Sequence, residues 1–199
     1  MKLLEQRIQK DGRVLEGNIL KVDSFLNHQI DTELMDAMAN ELADQFSDTK
    51  PNKVLTVEAS GIAFGYAVAS RLSCPLVFAK KNRTKNIAGD DVYRAEVLSY
   101  TTGNTYDVVV SKRFINPDDK VLIVDDFLAK GQAAMGLISI VEQAGAQCVG
   151  VGIAVEKGFQ DGSTLLRSNG VRVESLAIVD GMDAEKGTVL LREQPHHTR

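Results

Sequence analysis

Val121-Leu-Ile-Val-Asp-Asp-Phe-Leu-Ala-Lys-Gly-Gln-Ala133 carries four branched aliphatics, two adjacent carboxylates and a short glycine-containing loop in direct succession. The apolar run predicts a central parallel strand over 121–124, covered on both faces. Asp125 and Asp126 then fall at its carboxyl end, where open α/β sheets bind ligands. The loop Leu128 to Ala133 leads into Met135, Leu137, Ile138, Ile140 and Val141, the apolar stripe of a helix that ends near Gly145. A loop entering a helix N-terminus offers unpaired backbone N–H groups and a positive dipole end, which suits a phosphate. Two carboxylates beside such a cradle suit a phosphorylated sugar, with the acids accepting from its hydroxyls. The pair could instead hold Mg²⁺ in a phosphoryl-accepting receiver, or end a solvated strand. A receiver carries its acid pair at an early strand and its acceptor on another, and this chain has neither arrangement.

Outward from this stretch, apolar strands alternate with helical segments. Asp31 is a plausible N-cap for a helix of about four turns with Leu34, Met38, Leu42 and Phe46 at i+4 spacing. Strands follow at 53–57, 75–79, 149–155 and 171–179, with a helix over 61–72. The alternation predicts an α/β domain with a mainly parallel, doubly wound sheet flanked by helices. The polar stretch 82–112 holds two alternating segments, Tyr93–Tyr100 and Tyr106–Ser111, around a turn at Thr101–Thr105. It is long enough to form a lid hairpin.

Composition narrows the class. The 199 residues fit one domain, with 44% hydrophobic and 25% charged residues, ordinary values for a soluble protein. A net charge of −4 gives no global basic field to draw nucleic acid. Cys74 and Cys148 lie far apart in apolar segments, the pattern of reduced, buried thiols in a cytoplasmic protein. No run approaches ~18 apolar residues, and the start Met1-Lys-Leu-Leu-Glu-Gln-Arg7 lacks a signal-peptide core, so neither membrane nor export is expected.

Further chemistry sits at the other strand ends. Thr56-Val-Glu-Ala-Ser-Gly-Ile62 is again strand, turn and helix start, and Ala59, Ser60 and Gly61 let backbone amides approach an anion closely. Lys80, Lys81, Arg83 and Lys85 form a basic cluster that is either a solvated edge or an anion contact. Glu156 and Lys157 follow another buried strand, with Phe159 and Phe127 as aromatic faces that could stack on a ring. The alternative for Lys157 is a surface lysine paired with Glu156. His28 has no partner at metal-ligand spacing, and His196 and His197 belong to a polar tail over 193–199. No nucleophile–base constellation appears, so positioning and electrostatics are the expected chemistry.

The 121–133 stretch is the pattern of the phosphoribosyltransferase signature, and the chain resembles that family from end to end. The segment Leu20-Lys-Val-Asp-Ser-Phe-Leu-Asn-His-Gln-Ile-Asp31, with Glu156-Lys-Gly-Phe-Gln160, resembles the base-binding hood and pocket of the xanthine phosphoribosyltransferases. The resemblance implies a type I fold with a small N-terminal hood over 1–30 and a core over 31–190. It implies that Asp125 and Asp126 hold the ribose and offset charge at the reacting carbon. It places the 5′-phosphate of 5-phosphoribosyl-1-pyrophosphate (PRPP) on Leu128, Ala129, Lys130, Gly131, Gln132 and Ala133. The pyrophosphate falls to Glu58, Ala59, Ser60, Gly61 and Lys81. The Leu20 backbone and the Asn27 side chain are assigned to the xanthine, with Lys157, Glu156 and Phe159. Mg²⁺ is implied through PRPP, with no direct side-chain ligand, and so is a homodimer in purine salvage. The loop departs from the commonest family form, which has threonine at the places of Lys130 and Ala133. Lys130 either adds a cation there or points into solvent. Two rival expectations remain: salvage of guanine or hypoxanthine, and a PRPP-sensing regulator that binds nucleic acid.

Overall fold

The computed structural model describes residues 1–82, 91–98 and 103–194. Arg83, Lys85, Tyr100, Thr101, His196 and His197, named above, lie outside them. The N-terminal segment holds helix α1 (Lys2–Asp11), the hairpin β1 (Arg13–Leu15) and β2 (Ile19–Lys21), and a π-helical turn over Asp23–Asn27. Helix α2 (Thr32–Gln45) starts where the N-cap reading placed it: Asp31 Oδ1 accepts from the Leu34 N–H at 3.1 Å. Asp31 also pairs with Arg7 at 2.9 Å, joining α1 to α2.

The remaining elements are β3 (Lys53–Val57), α3 (Gly61–Leu72), β4 (Leu76–Asn82), β5 (Val92–Leu98), β6 (Thr105–Ser111), β7 (Lys120–Leu128), α4 (Gln132–Gln143), β8 (Gln147–Lys157), α5 (Gly162–Ser168), β9 (Val173–Asp183) and β10 (Thr188–Leu191). The sequence reading missed α5 and β10. Eight strands form one sheet in the order β10-β9-β8-β7-β3-β4-β6-β5. Strands β4, β3, β7, β8 and β9 run parallel, whereas β6, β5 and β10 are antiparallel additions at the two edges.

Val121 to Val124 are fully buried at the middle of this sheet. One core packs α1, α2, α3 and the hood against one face, through Leu4, Met38, Phe64, Leu122 and Val124. The other packs α4 and the β5–β6 hairpin against the opposite face, through Val121, Ile123, Leu137, Val97 and Val108. The described part of the expected lid is therefore built into the sheet: β6 pairs with β4, and β5 packs over α4.

Two strands outrun their apolar cores. β7 continues through Asp125 and Asp126 to Leu128, because β8 extends beside it and pairs Asp125 with Ile153, Phe127 with Val155 and Leu128 with Glu156. The aspartates are thus in the strand and not beyond it. Both cysteines are free and only partly buried.

Candidate active site

The parallel strands in spatial order, β4-β3-β7-β8-β9, reverse direction of progress between β3 and β7. At such a switch point the connections leave to opposite sides and open a crevice at the carboxyl ends of the strands. A cleft of about 700 Å³ lies there, lined by Asp125, Phe127, the 128–134 segment and Lys157 from the sheet and its loops. Gly17, Asn18 and Ile19 of the hood hairpin form one wall, and Lys81, Val97, Leu98 and Tyr106 another.

The two aspartates do different things. Neighbouring strand residues face opposite sides, and only Asp125 lines the cleft. Its Oδ1 accepts from the backbone N–H of Asp126 at 2.9 Å. Burial, and then the charge of Asp126, hold the Asp125 carboxyl well above the usual aspartate range, with Lys81 pulling the other way. Asp126 is only 5% exposed. One of its oxygens accepts from Ser60 Oγ and the other from Asn27 Nδ2, both at 2.9 Å. It ties the hood and the 58–61 turn to the central strand, and its hydroxyl and amide partners compensate its burial.

The 58–61 turn closes tightly over Asp125. The Glu58–Ala59 peptide is cis. A Cβ on Gly61 would lie 2.6 Å from Asp125 Oδ1 and 2.2 Å from Thr56 Oγ1, so only glycine fits at this helix start. Glu58 Oε1 accepts from the Lys81 N–H at 2.7 Å, which fixes the neighbouring strand end to the turn. The Lys81 ammonium sits 5.4 Å from the centre of the Tyr106 ring. The Tyr106 phenol is raised by burial and then by the charge of Asp125.

On the far side of Asp125, Gly131 adopts φ +78° and opens α4, with Met135 N–H closing the first turn on its carbonyl. No side chain caps that turn, so its leading amides and dipole suit an anion. Lys130 is exposed at the rim of the cleft. At the other end, Lys157 Nζ donates to the Asn18 carbonyl at 3.0 Å and stands 5.9 Å from the centre of the Phe127 ring. Burial lowers its pKa below that of an ordinary lysine.

The structure thus brings Asp125, the 128–133 loop, Lys81 and Lys157 to one cleft; Gly61 abuts Asp125 and Ser60 holds Asp126, and neither lines it. Besides Asp126 and the 58–61 turn, four residues assigned to the base keep their side chains out of the lining. Leu20 has its side chain in the core, 6% exposed, so the expected contact falls to its backbone, and the neighbouring Ile19 lines the cleft. Asn27 is exposed beside Asp126 and is not a lining residue. Glu156 turns away: it is 2% exposed and accepts from Ser163 and Ser175, because strand alternation sends it opposite to Lys157. Phe159 is 37% exposed outside the lining, and Phe127 supplies the aromatic face. Lys80 is likewise exposed off the cleft.

The sequence reading missed Asn18 and Tyr106. Gly17 and Asn18, both at positive φ, carry a hairpin-turn signal between Leu15 and Ile19. Tyr106 had no local signal; the antiparallel pairing of Lys81 with Val108 brings it in. Among the described residues, no group of three or more histidine, cysteine or acidic side chains is arranged to hold a metal. Among them too, no helix is long and apolar enough to cross a membrane.

Comparison with known proteins agrees with this geometry. The phosphoribosyl transferase domain matches residues 21–181. The xanthine phosphoribosyltransferase of Lachnoclostridium phytofermentans is 52% identical over 192 residues, covering 96% of this chain and 98% of its own. That of Ligilactobacillus salivarius is 49% identical over 183 residues, covering 92% and 95%. Among solved structures, the adenine phosphoribosyltransferase of Rhodothermus marinus shares the fold at TM-score 0.74 and 22% identity, covering 90% of this chain and 100% of its own. The one from Thermoanaerobacter pseudethanolicus superposes at 0.64 and 26% identity, over 74% and 81%. The chain belongs to the phosphoribosyltransferase family.

Proposed function

We propose that this protein transfers the phosphoribosyl group of PRPP to xanthine, giving xanthosine 5′-monophosphate and pyrophosphate. The observation that carries the reading is the placement of two strand-to-helix turns, 58–61 and 128–133, on either side of Asp125 at the switch point. A ligand with a phosphate at one end, a pyrophosphate at the other and a ribose between fits that arrangement. The base is chosen by the curated relatives, which are named for xanthine and match at about half identity over nearly the whole chain.

In this reading the 5′-phosphate rests on the amides of the 128–133 loop, with Lys130 at its rim. The pyrophosphate rests on Ala59, Ser60 and Gly61, beside Lys81 and with Glu58 bracing that strand end. The C1–O bond breaks and its electron pair leaves on pyrophosphate. The purine N9 then bonds to C1 and loses its proton to solvent. Positive charge grows on the ribose, and Asp125 offsets it from the floor of the cleft. Asp126 acts at one remove, by holding Ser60 and Asn27. Mg²⁺ carried on PRPP would supply charge for the leaving group, with Asp125 the acid of the cleft lining that it would face.

Lys157 and Phe127 are suited to the base: one gives a proton donor toward a ring oxygen and the other a flat apolar face. Xanthine is the more acidic oxopurine, so a nearby ammonium favours its partly anionic form. Leu20 and Asn27 at the hood edge complete the assignment by resemblance. The same resemblance carries a cytoplasmic homodimer acting in purine salvage. Steady-state assays with PRPP, Mg²⁺ and xanthine, guanine, hypoxanthine or adenine test the reading. Preference for xanthine is the expected result. Preference for guanine or hypoxanthine would overturn the base, and no turnover of any base would overturn the reaction.

A further inference from the structure

The geometry points to Glu156 as a positioning residue for the anion loop at 129–131, acting through Ser163 and Gly162. The inference rests on the proposed reading of that loop as the 5′-phosphate site. Glu156 stands next to Leu128 in the sheet, at the last paired position before the loop begins. It is buried, with one oxygen accepting from Ser163 Oγ and the other from Ser175 Oγ, each at 2.6 Å. A buried carboxylate contributes little to stability by itself, and these bonds fix a particular place: Ser163 is the second residue of α5.

The first residue of α5, Gly162, is locked to the loop. Its N–H donates to the Ala129 carbonyl at 3.1 Å. A Cβ on Gly162 would lie 2.4 Å from that same oxygen and 3.0 Å from the Gly131 nitrogen. From the other side, a Cβ on Gly131 would lie 3.2 Å from the Gly162 Cα and carbonyl oxygen. Two backbones therefore touch with no side chain between them. The loop is anchored once through the sheet, where Leu128 pairs beside Glu156, and again through Ser163 and Gly162. Glu156 joins both anchors, so it sets where the amides of 129–131 point while touching no ligand.

Calorimetric titration of ribose 5-phosphate, and separately of Mg²⁺-pyrophosphate, tests this on wild type, Ser163→Ala, Ser175→Ala, Glu156→Gln and Glu156→Ala, alongside kinetics. Ser163→Ala is expected to weaken ribose 5-phosphate about tenfold, close to the lower value for a hydrogen bond to a charged group. The KM for PRPP should rise by a similar factor. Pyrophosphate affinity and kcat should stay within about twofold, well inside the tenfold effect sought. Ser175→Ala, which meets the same carboxylate on the side away from the loop, should bind both ligands as wild type does. Glu156→Gln keeps an acceptor for Ser163 and should retain most of the affinity that Glu156→Ala loses. Unchanged ribose 5-phosphate affinity in Ser163→Ala, or equal loss of both ligands, overturns the inference alone. A wild-type protein that binds no ribose 5-phosphate overturns the reading of the loop, and the inference with it.

Discussion

Replacing Gly61 with alanine would put a methyl carbon 2.6 Å from Asp125 Oδ1 and 2.2 Å from Thr56 Oγ1. To reach the 3.4 Å of ordinary contact, the first oxygen must retreat by about 0.8 Å and the second by about 1.2 Å. Neither has an easy way out. Thr56 is fully buried in β3, and a Cβ on Gly65 would itself lie only 3.3 Å from its methyl. Asp125 is held by the Asp126 amide. Overpacking of this kind costs ~1–3 kcal/mol, which for a domain of this size lowers Tm by roughly 2–12 °C. A displacement near 1 Å of a group that must face the reacting carbon costs on the order of 100-fold in kcat/KM. Thermal unfolding and steady-state kinetics on Gly61→Ala read both effects. Adding Thr56→Ala removes one of the two collisions, so the double variant should regain part of the Tm and little of the activity. A Gly61→Ala protein whose Tm and kcat/KM match wild type would show that the turn accepts a methyl group beside Asp125.

Stability and activity should separate at the opposite end of the strands. Lys53 Nζ meets Asp119 at 2.6 Å and the Phe114 carbonyl at 2.7 Å, with both side chains almost buried. Asp119→Ala should cost ~3–5 kcal/mol in urea unfolding with kcat/KM unchanged, since neither residue lines the cleft; a small stability loss or a large kinetic one would contradict this. Asp125 gives a pH signature. Its folded pKa is raised above the ordinary 3.8, so above that pH the folded state binds more protons than the unfolded, and stability falls as pH rises toward the raised value. Asp125→Asn removes that slope: its Tm should gain on wild type as pH rises above 3.8, while kcat falls by about 10²–10³-fold. A Tm difference that shrinks over the same range would show that folding does not raise the pKa of this carboxyl.

The sheet and its helices were legible because Val121–Val124 and its companions are apolar runs that only a covered strand explains. The site was legible at the level of segments and less so at single residues. The difference is strand parity. Of Asp125 and Asp126, Glu156 and Lys157, Lys80 and Lys81, one member of each pair lines the cleft. The same holds at Ile19 and Leu20 in the hood. Chemical type marked both members, and the period of two separates them once one is placed. The strands also ran longer than their apolar cores, since ladder bonds to a long neighbour carry polar residues along. Tyr106 was beyond local reading, because a separate strand pairing delivers it.

A crystal structure of the protein with PRPP and Mg²⁺ would show where each phosphate and the ribose rest. The 5′-phosphate is expected on the amides of residues 129–133, the pyrophosphate on the 59–61 turn beside Lys81, and the ribose over Asp125. Phosphates placed the other way round, or a ligand bound away from the β3–β7 crevice, would contradict it.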